Sequence, residues 1–168
     1  MYGYLDRFLV FLQTERRASA RTVEEYQKDI FSGIDFFTRV LDVTDESLEP
    51  RQITPALMRR YLAHQAGRGL SRNSLLRKIA AWRSFFRFLC REGVLKDNPL
   101  RKVASPRRQM RLPRVLYQAE AKRLVEAPEA ADPLRLRDRA MLEVLYAAGV
   151  RIAEITGLNI GDIDLSGG

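Results

Sequence analysis

SRNSLLRKIAAWRSFFRFLCREG, Ser71–Gly93, is the stretch that decides the fold. At helical spacing, Leu75, Ile79, Trp82, Phe86 and Leu89 fall on one stripe, with Cys90 beside it. That stripe predicts a long helix packed against others, with Trp82 and Cys90 as core residues. Asn73, Arg77, Ala80, Ala81, Ser84 and Arg91 fall on the opposite side, with Arg87 at the border. Small side chains there let a partner's backbone come close, and Arg and Asn offer donors to phosphates or base edges. Phe88 projects from the same polar side, so either another helix or the second unit is expected over it. Ser71 is the expected N-cap and Gly93 the stop.

The same period extends outward. Leu5, Phe8, Leu9 and Leu12 predict an N-terminal helix. Ser19 is placed to cap a second, with Val23, Tyr26, Ile30, Ile34 and Phe37 inward. Thr54-Pro55 is a cap followed by proline at the first helical position, opening a helix through Leu57 and Tyr61 that stops near Gly67 and Gly69. A helical unit is expected over residues 1–96. From Asp97 to Leu116, Pro99, Pro106 and Pro113 alternate with basic residues, which reads as a linker. A second unit, 117–168, is expected to hold a helix over Gln118–Glu126, a longer one from Asp132-Pro133 to Ala148 with Gly149 beyond, and a short one from Arg151 to Thr156. Ile160, Ile163 and Leu165 sit near strand spacing before a Gly-Gly turn. A lone strand makes no sheet, so the second unit reads as cut in mid-structure.

The chain has 168 residues and a net charge of +8, and where that charge lies matters more than its size. Residues 1–70 carry 10 basic and 10 acidic side chains, and residues 115–168 carry 6 and 9. Residues 71–114 hold 13 basic side chains against Glu92 and Asp97 alone. Such a concentrated excess points to a polyphosphate partner. Ser19, Arg21 and Thr22 add a helix N-terminus that suits a phosphate or serves as an ordinary cap. Cys90 and His64 are the only residues of their types, which excludes an internal disulfide and a Cys/His zinc cluster. No apolar run approaches a membrane span and the N-terminus lacks a basic signal head, so a soluble, cytoplasmic protein is expected.

LYAAGVRIAEITGL, Leu145–Leu158, sets one arginine after a glycine turn. Val150 and Ile152 are expected to be buried, leaving Arg151 stiff and partly desolvated. It has two readings: an ion pair with Glu154, or a pair of parallel donors for a phosphodiester. RDRAMLEVLYAAGVRIAEITGLNIGDIDL, Arg137–Leu165, resembles the first catalytic block of the tyrosine site-specific recombinases, the phage integrase family, and within it the bacterial Xer type. SARTVEEYQKDI, Ser19–Ile30, and LSRNSLLRKIAAWRSFFRFLCREGVLKDNPL, Leu70–Leu100, resemble that group's core-binding domain.

The resemblance implies a mainly α fold: a helical-bundle, SAM-like core-binding domain, then the start of an α+β catalytic domain. It implies double-stranded DNA as partner, held between the two domains. A tyrosine forms a 3′-phosphotyrosyl link, and strands are exchanged by related protomers in a tetramer on two sites. No metal or other cofactor is implied, because the bond energy stays in the phosphotyrosine. Arg151 matches the first catalytic arginine, which holds the non-bridging oxygens. The residues expected on DNA are Ser19, Arg21 and Thr22; Arg72, Asn73, Arg77, Lys78, Ser84 and Arg87; and Arg101, Lys102, Arg107 and Arg108. The family's lysine, His-x-x-Arg block and tyrosine have no match up to Gly168. Tyr146 is expected in the core instead. The chain thus reads as an N-terminal fragment that binds DNA and cleaves nothing. Two rival readings are a helix-turn-helix regulator built on Leu145–Leu158 and a helical protein-interaction module with an incidental basic face.

Overall fold

The computed structural model describes residues 1–105, 115–128 and 132–162. The chain divides into two compact units, Met1–Met110 and Arg111–Gly168.

The first unit is a bundle of four helices: α1 (Tyr2–Thr14), α2 (Ala20–Leu41), α3 (Pro55–Gly67) and α4 (Arg72–Arg91). The caps act as their side chains dictate. Ser19, Thr54 and Ser71 each accept the backbone N–H three residues on, from Thr22, Leu57 and Ser74. Helix α4 ends at Gly93, whose φ of 74° a residue without a Cβ adopts at no cost.

Helix α4 lies at the centre and packs on α1, α2 and α3. Its expected stripe is buried, but burial reaches further round the helix: Ala81, Phe85 and Phe88 are buried too. The cause is α1. Phe8 stacks on Phe85 and Phe88 at 5.3 and 5.6 Å, and Phe11 on Phe88 at 5.2 Å. Arg91, placed on the polar side by periodicity, is also taken up by α1: it makes two 2.7 Å bonds to Glu15 and lies over the Phe11 ring. One open strip remains on α4, through Asn73, Ala80 and Arg87.

Trp82 is wholly buried among Phe37, Phe85 and Phe86, and its indole lies close against Gly33 of α2. A Cβ at residue 33 would stand 2.5 Å from Trp82 Cζ2. The ring has no room to retreat, so Gly33→Ala should destabilise the first unit by about 1–3 kcal/mol, read from its denaturant midpoint.

The expected linker does not begin at residue 97. Asn98 caps a 3-10 helix, Pro99–Lys102, and Leu100 and Val103 are buried in the first unit's core. Arg83 of α4 donates to the carbonyls of Leu100 and Val103 and to Ser105 Oγ. Packing therefore carries the bundle past residue 96, to Val103 at least.

The second unit has α5 (Gln118–Glu126), α6 (Pro133–Ala148) and α7 (Ile152–Ile155). Asp132 caps α6 through the N–H groups of Leu134 and Arg135, and Gly149 ends it in the left-handed region. The expected strand is not found at its start: Ile160–Asp162 is a 3-10 turn. Ile163 and Leu165 lie outside the described residues. Among those described here, Ile155 alone is buried, while Leu124, Leu134, Leu136, Tyr146 and Ile152 are exposed. Tyr146 and Ile152 thus depart from their expected burial. Three short helices enclose too little volume to cover both faces of their own side chains.

Candidate nucleic-acid interface

Most of the candidate DNA contacts lie in the first unit, and the structure sorts them. Arg72, Asn73 and Arg87 of α4 are exposed, as are Arg101 and Lys102 of the 3-10 helix that follows it. Ser84 is half-buried on the same strip. Arg107 and Arg108 lie outside the described residues.

Lys78 is a correction. It is buried, and its ammonium donates to Asp29 Oδ1 at 2.9 Å and to Ser32 Oγ at 3.3 Å. Helix periodicity places Lys78 next to Arg77, but α2 crosses α4 at this level and brings Asp29 to it. A lysine in that position neutralises a buried carboxylate, and burial keeps its ammonium from a phosphate outside. Burial pushes the Asp29 carboxyl above its ordinary range, against the pull of Lys78 and then Arg77. Tyr61 of α3 completes the cluster, its hydroxyl 2.6 Å from Ser32 Oγ.

Arg77 is half-buried and tied down. Its Nη1 lies 2.5 Å from Glu25 Oε2 and 2.8 Å from Asp29 Oδ2. A phosphate at Arg77 has to compete with two carboxylates. Ser19 and Thr22 are engaged with each other, hydroxyl to hydroxyl at 2.9 Å, as well as through the cap. Arg21 beside them is exposed.

Two cations missed by helix periodicity join this surface. Arg83 and Lys96 line a cavity of about 770 Å³ together with Arg87, Arg101 and Lys102, with Asp97 the one carboxylate in its wall. The four-residue spacing of Arg83 and Arg87 was visible in the sequence, and Asn98-Pro99 is a capping signal that announced the 3-10 helix.

In the second unit Arg151 is the cap residue of α7 and its side chain is 84% exposed, so the expected desolvation is absent. The ion-pair reading is realised: Nη1 donates to Glu154 Oε1 at 2.7 Å, and the Arg151 N–H donates to Glu154 Oε2 at 2.8 Å. The backbone N–H first, and the guanidinium second, hold the Glu154 carboxyl below its ordinary range. One guanidinium edge is thereby held and the rest faces outward.

The description of the phage integrase N-terminal SAM-like domain matches residues 5–93, over half of the chain. The chain belongs to the phage integrase family. The family's own description matches residues 114–168, the span that holds Arg151. A tyrosine recombinase XerC of Pelotomaculum thermopropionicum is 51% identical over 168 residues, covering 100% of this chain and 55% of that one. A XerC of Xanthomonas axonopodis pv. citri is 37% identical over 171 residues, covering 98% and 55%. A solved XerA recombinase is 30% identical, covers 97% of this chain and 52% of that one, and superposes with a TM-score of 0.48. The chain thus spans about half the length of the relatives it matches. The phage integrase assignment agrees with the Xer-type resemblance read from Ser19–Ile30, Leu70–Leu100 and Arg137–Leu165, and with the helical, SAM-like fold class.

Proposed function

We propose that this chain is the DNA-gripping part of a Xer-type tyrosine recombinase, with residues 1 to about 103 as core-binding domain and residues from 117 as the beginning of the catalytic domain. The observation that carries this reading is the open strip of α4. It keeps Arg72, Asn73, Ala80 and Arg87 exposed on a helix whose apolar side is buried, and it runs toward Arg101 and Lys102 in a chain of matching family. Structural arginines are taken up by acceptors within the fold, as half-buried Arg77 is by Glu25 and Asp29. Exposed ones gathered on one helix are what a phosphate backbone selects.

The reaction of the whole protein then follows the family. A tyrosine attacks the scissile phosphate of a duplex site, a 3′-phosphotyrosine conserves the bond energy, and related protomers on two sites exchange strands. This takes place on chromosomal or integrating DNA in the cytoplasm. Arg151 supplies donors to the non-bridging oxygens. Charge grows on those oxygens in the pentavalent state, so a fixed guanidinium favours that state over the ground state. No helix of the described residues is long and apolar enough to cross a membrane.

The helix-turn-helix reading fares worse. A recognition helix has to lie along a groove, and α7 has 4 residues. At about 1.5 Å per residue that is roughly one turn.

Arg72→Gln with Arg87→Gln tests the strip. In a titration of duplex DNA against salt, the double variant should lose about one unit of the salt slope per phosphate contact removed. Affinity that does not vary with salt in the unaltered chain would favour the protein-interaction reading instead. Arg77→Ala is a poorer probe, because it also strips Glu25 and Asp29 of their partner.

A further inference from the structure

The cationic cavity owes its shape to a residue that has little left to offer a ligand. Arg83 has five N–H donors in a rigid fork, and three are committed: Nε to Leu100 O at 3.3 Å, Nη1 to Ser105 Oγ at 2.8 Å, and Nη2 to Val103 O. Asn98 closes the loop from the other side, its Nδ2 donating to Arg83 O at 3.1 Å and its Oδ1 accepting the Leu100 N–H at 2.9 Å. Leu100 and Val103 are buried at each end of the exposed pair Arg101 and Lys102. The segment is therefore anchored by two apolar side chains and by one guanidinium that reads two carbonyls and a hydroxyl.

We infer that Arg83 is a positioning residue: it pins Leu100–Ser105 to α4 so that Arg101 and Lys102 join Arg87 and Lys96 in one cleft for consecutive phosphates of duplex DNA. The inference rests on the DNA-binding reading above and adds the subsite and its brace. Four cations against Asp97 exceed what a single small anion needs, and the cleft continues the α4 strip that begins at Arg72. A polymer of phosphates fits that track. Lysine cannot replace Arg83, because one ammonium does not span three acceptors in a fixed plane.

The test keeps charge constant and removes the fork. In the full 168-residue chain, Arg83→Lys should weaken binding to a mixed-sequence duplex roughly tenfold near 0.1 M salt and lower the salt slope by about two, the contribution of two phosphate contacts. Arg101→Gln with Lys102→Gln should do the same, and adding Arg83→Lys to that pair should change nothing further. Without DNA, Arg83→Lys should speed hydrogen exchange of the Val103 amide and tryptic cleavage after Arg101 and Lys102. Unchanged affinity and slope in Arg83→Lys, or a further loss on top of the double variant, overturns the positioning role. If Arg83→Lys does not fold, the exposed pair decides: an unaltered slope in Arg101→Gln, Lys102→Gln rejects the cleft. If the unaltered chain binds no duplex at low salt, the DNA reading itself fails, while the Val103 exchange still reports on the brace alone.

Discussion

Arg151→Ala, placed in a chain extended through a complete catalytic domain, is expected to leave duplex affinity nearly intact and to slow covalent attachment to DNA by about 10²–10³. The two readouts should separate because the proposed function gives the binding surface and the reacting phosphate different residues. On the proposed reading, Arg72, Asn73, Arg87, Arg101 and Lys102 would meet DNA before and after reaction alike, and so would contribute equally to both states. A guanidinium on the non-bridging oxygens gains most when the phosphorus is pentavalent. A suicide duplex that traps the phosphotyrosine measures the second quantity without the first. Trapping at the parental rate in Arg151→Ala would remove this residue from the chemistry. Arg151→Lys should recover little, since a point charge does not reproduce two parallel donors. In the present geometry Glu154 holds one edge of that guanidinium. The family role therefore asks the remaining donors, or an exchanged pair, to face the phosphate.

The second large effect concerns stability. Lys78→Ala should destabilise the first unit by about 3 kcal/mol, the lower end of what breaking a buried ion pair costs. Arg77 stays near Asp29 Oδ2 and tempers the loss. Asp29→Asn combined with Lys78→Met should cost less than Lys78→Ala alone, because no uncompensated charge remains inside. The pH dependence follows from the direction of the Asp29 shift. Its folded pKa is raised, chiefly by burial, so its contribution to stability is full below the ordinary aspartate pKa and is lost as pH rises through the folded value. Removing Lys78 takes away a group that pulls that value down, which extends the window upward. Lys78→Met should therefore be closest to the parent at acidic pH and furthest from it near neutrality. Urea titrations at both pH values measure this. An equal loss at both would place Lys78 in packing rather than in charge compensation.

These two cases show how differently neighbouring residues are constrained. Arg77 and Lys78 are adjacent on the most basic helix, and composition treats them alike. In space one is half-buried between two carboxylates and the other is buried against Asp29. Both partners come from α2, some fifty positions away in the chain, and nothing local announces the crossing. Arg91 repeats the point: it looked solvent-facing on one helix and is claimed by α1, which also supplies the cover expected over Phe88. Ile152 and Tyr146 fail in the opposite sense, since apolar character predicts burial only where enough chain surrounds the residue.

What the amino-acid order determined unaided is whatever depends on residues within a turn or two. The helices of the first unit, their Ser and Thr caps, the Gly93 and Gly149 stops, the stripe from Leu75 to Leu89 and the motif around Arg151 all belong to this class. Backbone hydrogen bonding and side-chain period act over three or four residues, so the information is contiguous. Tertiary structure alone decided which cations are free. Arg87, Arg101 and Lys102 stay open to a phosphate, Lys78 is spent on Asp29, and Arg83 is spent on holding the chain beyond α4. Charge acts through space on whichever partner the packing brings near, and that partner has no fixed distance along the sequence.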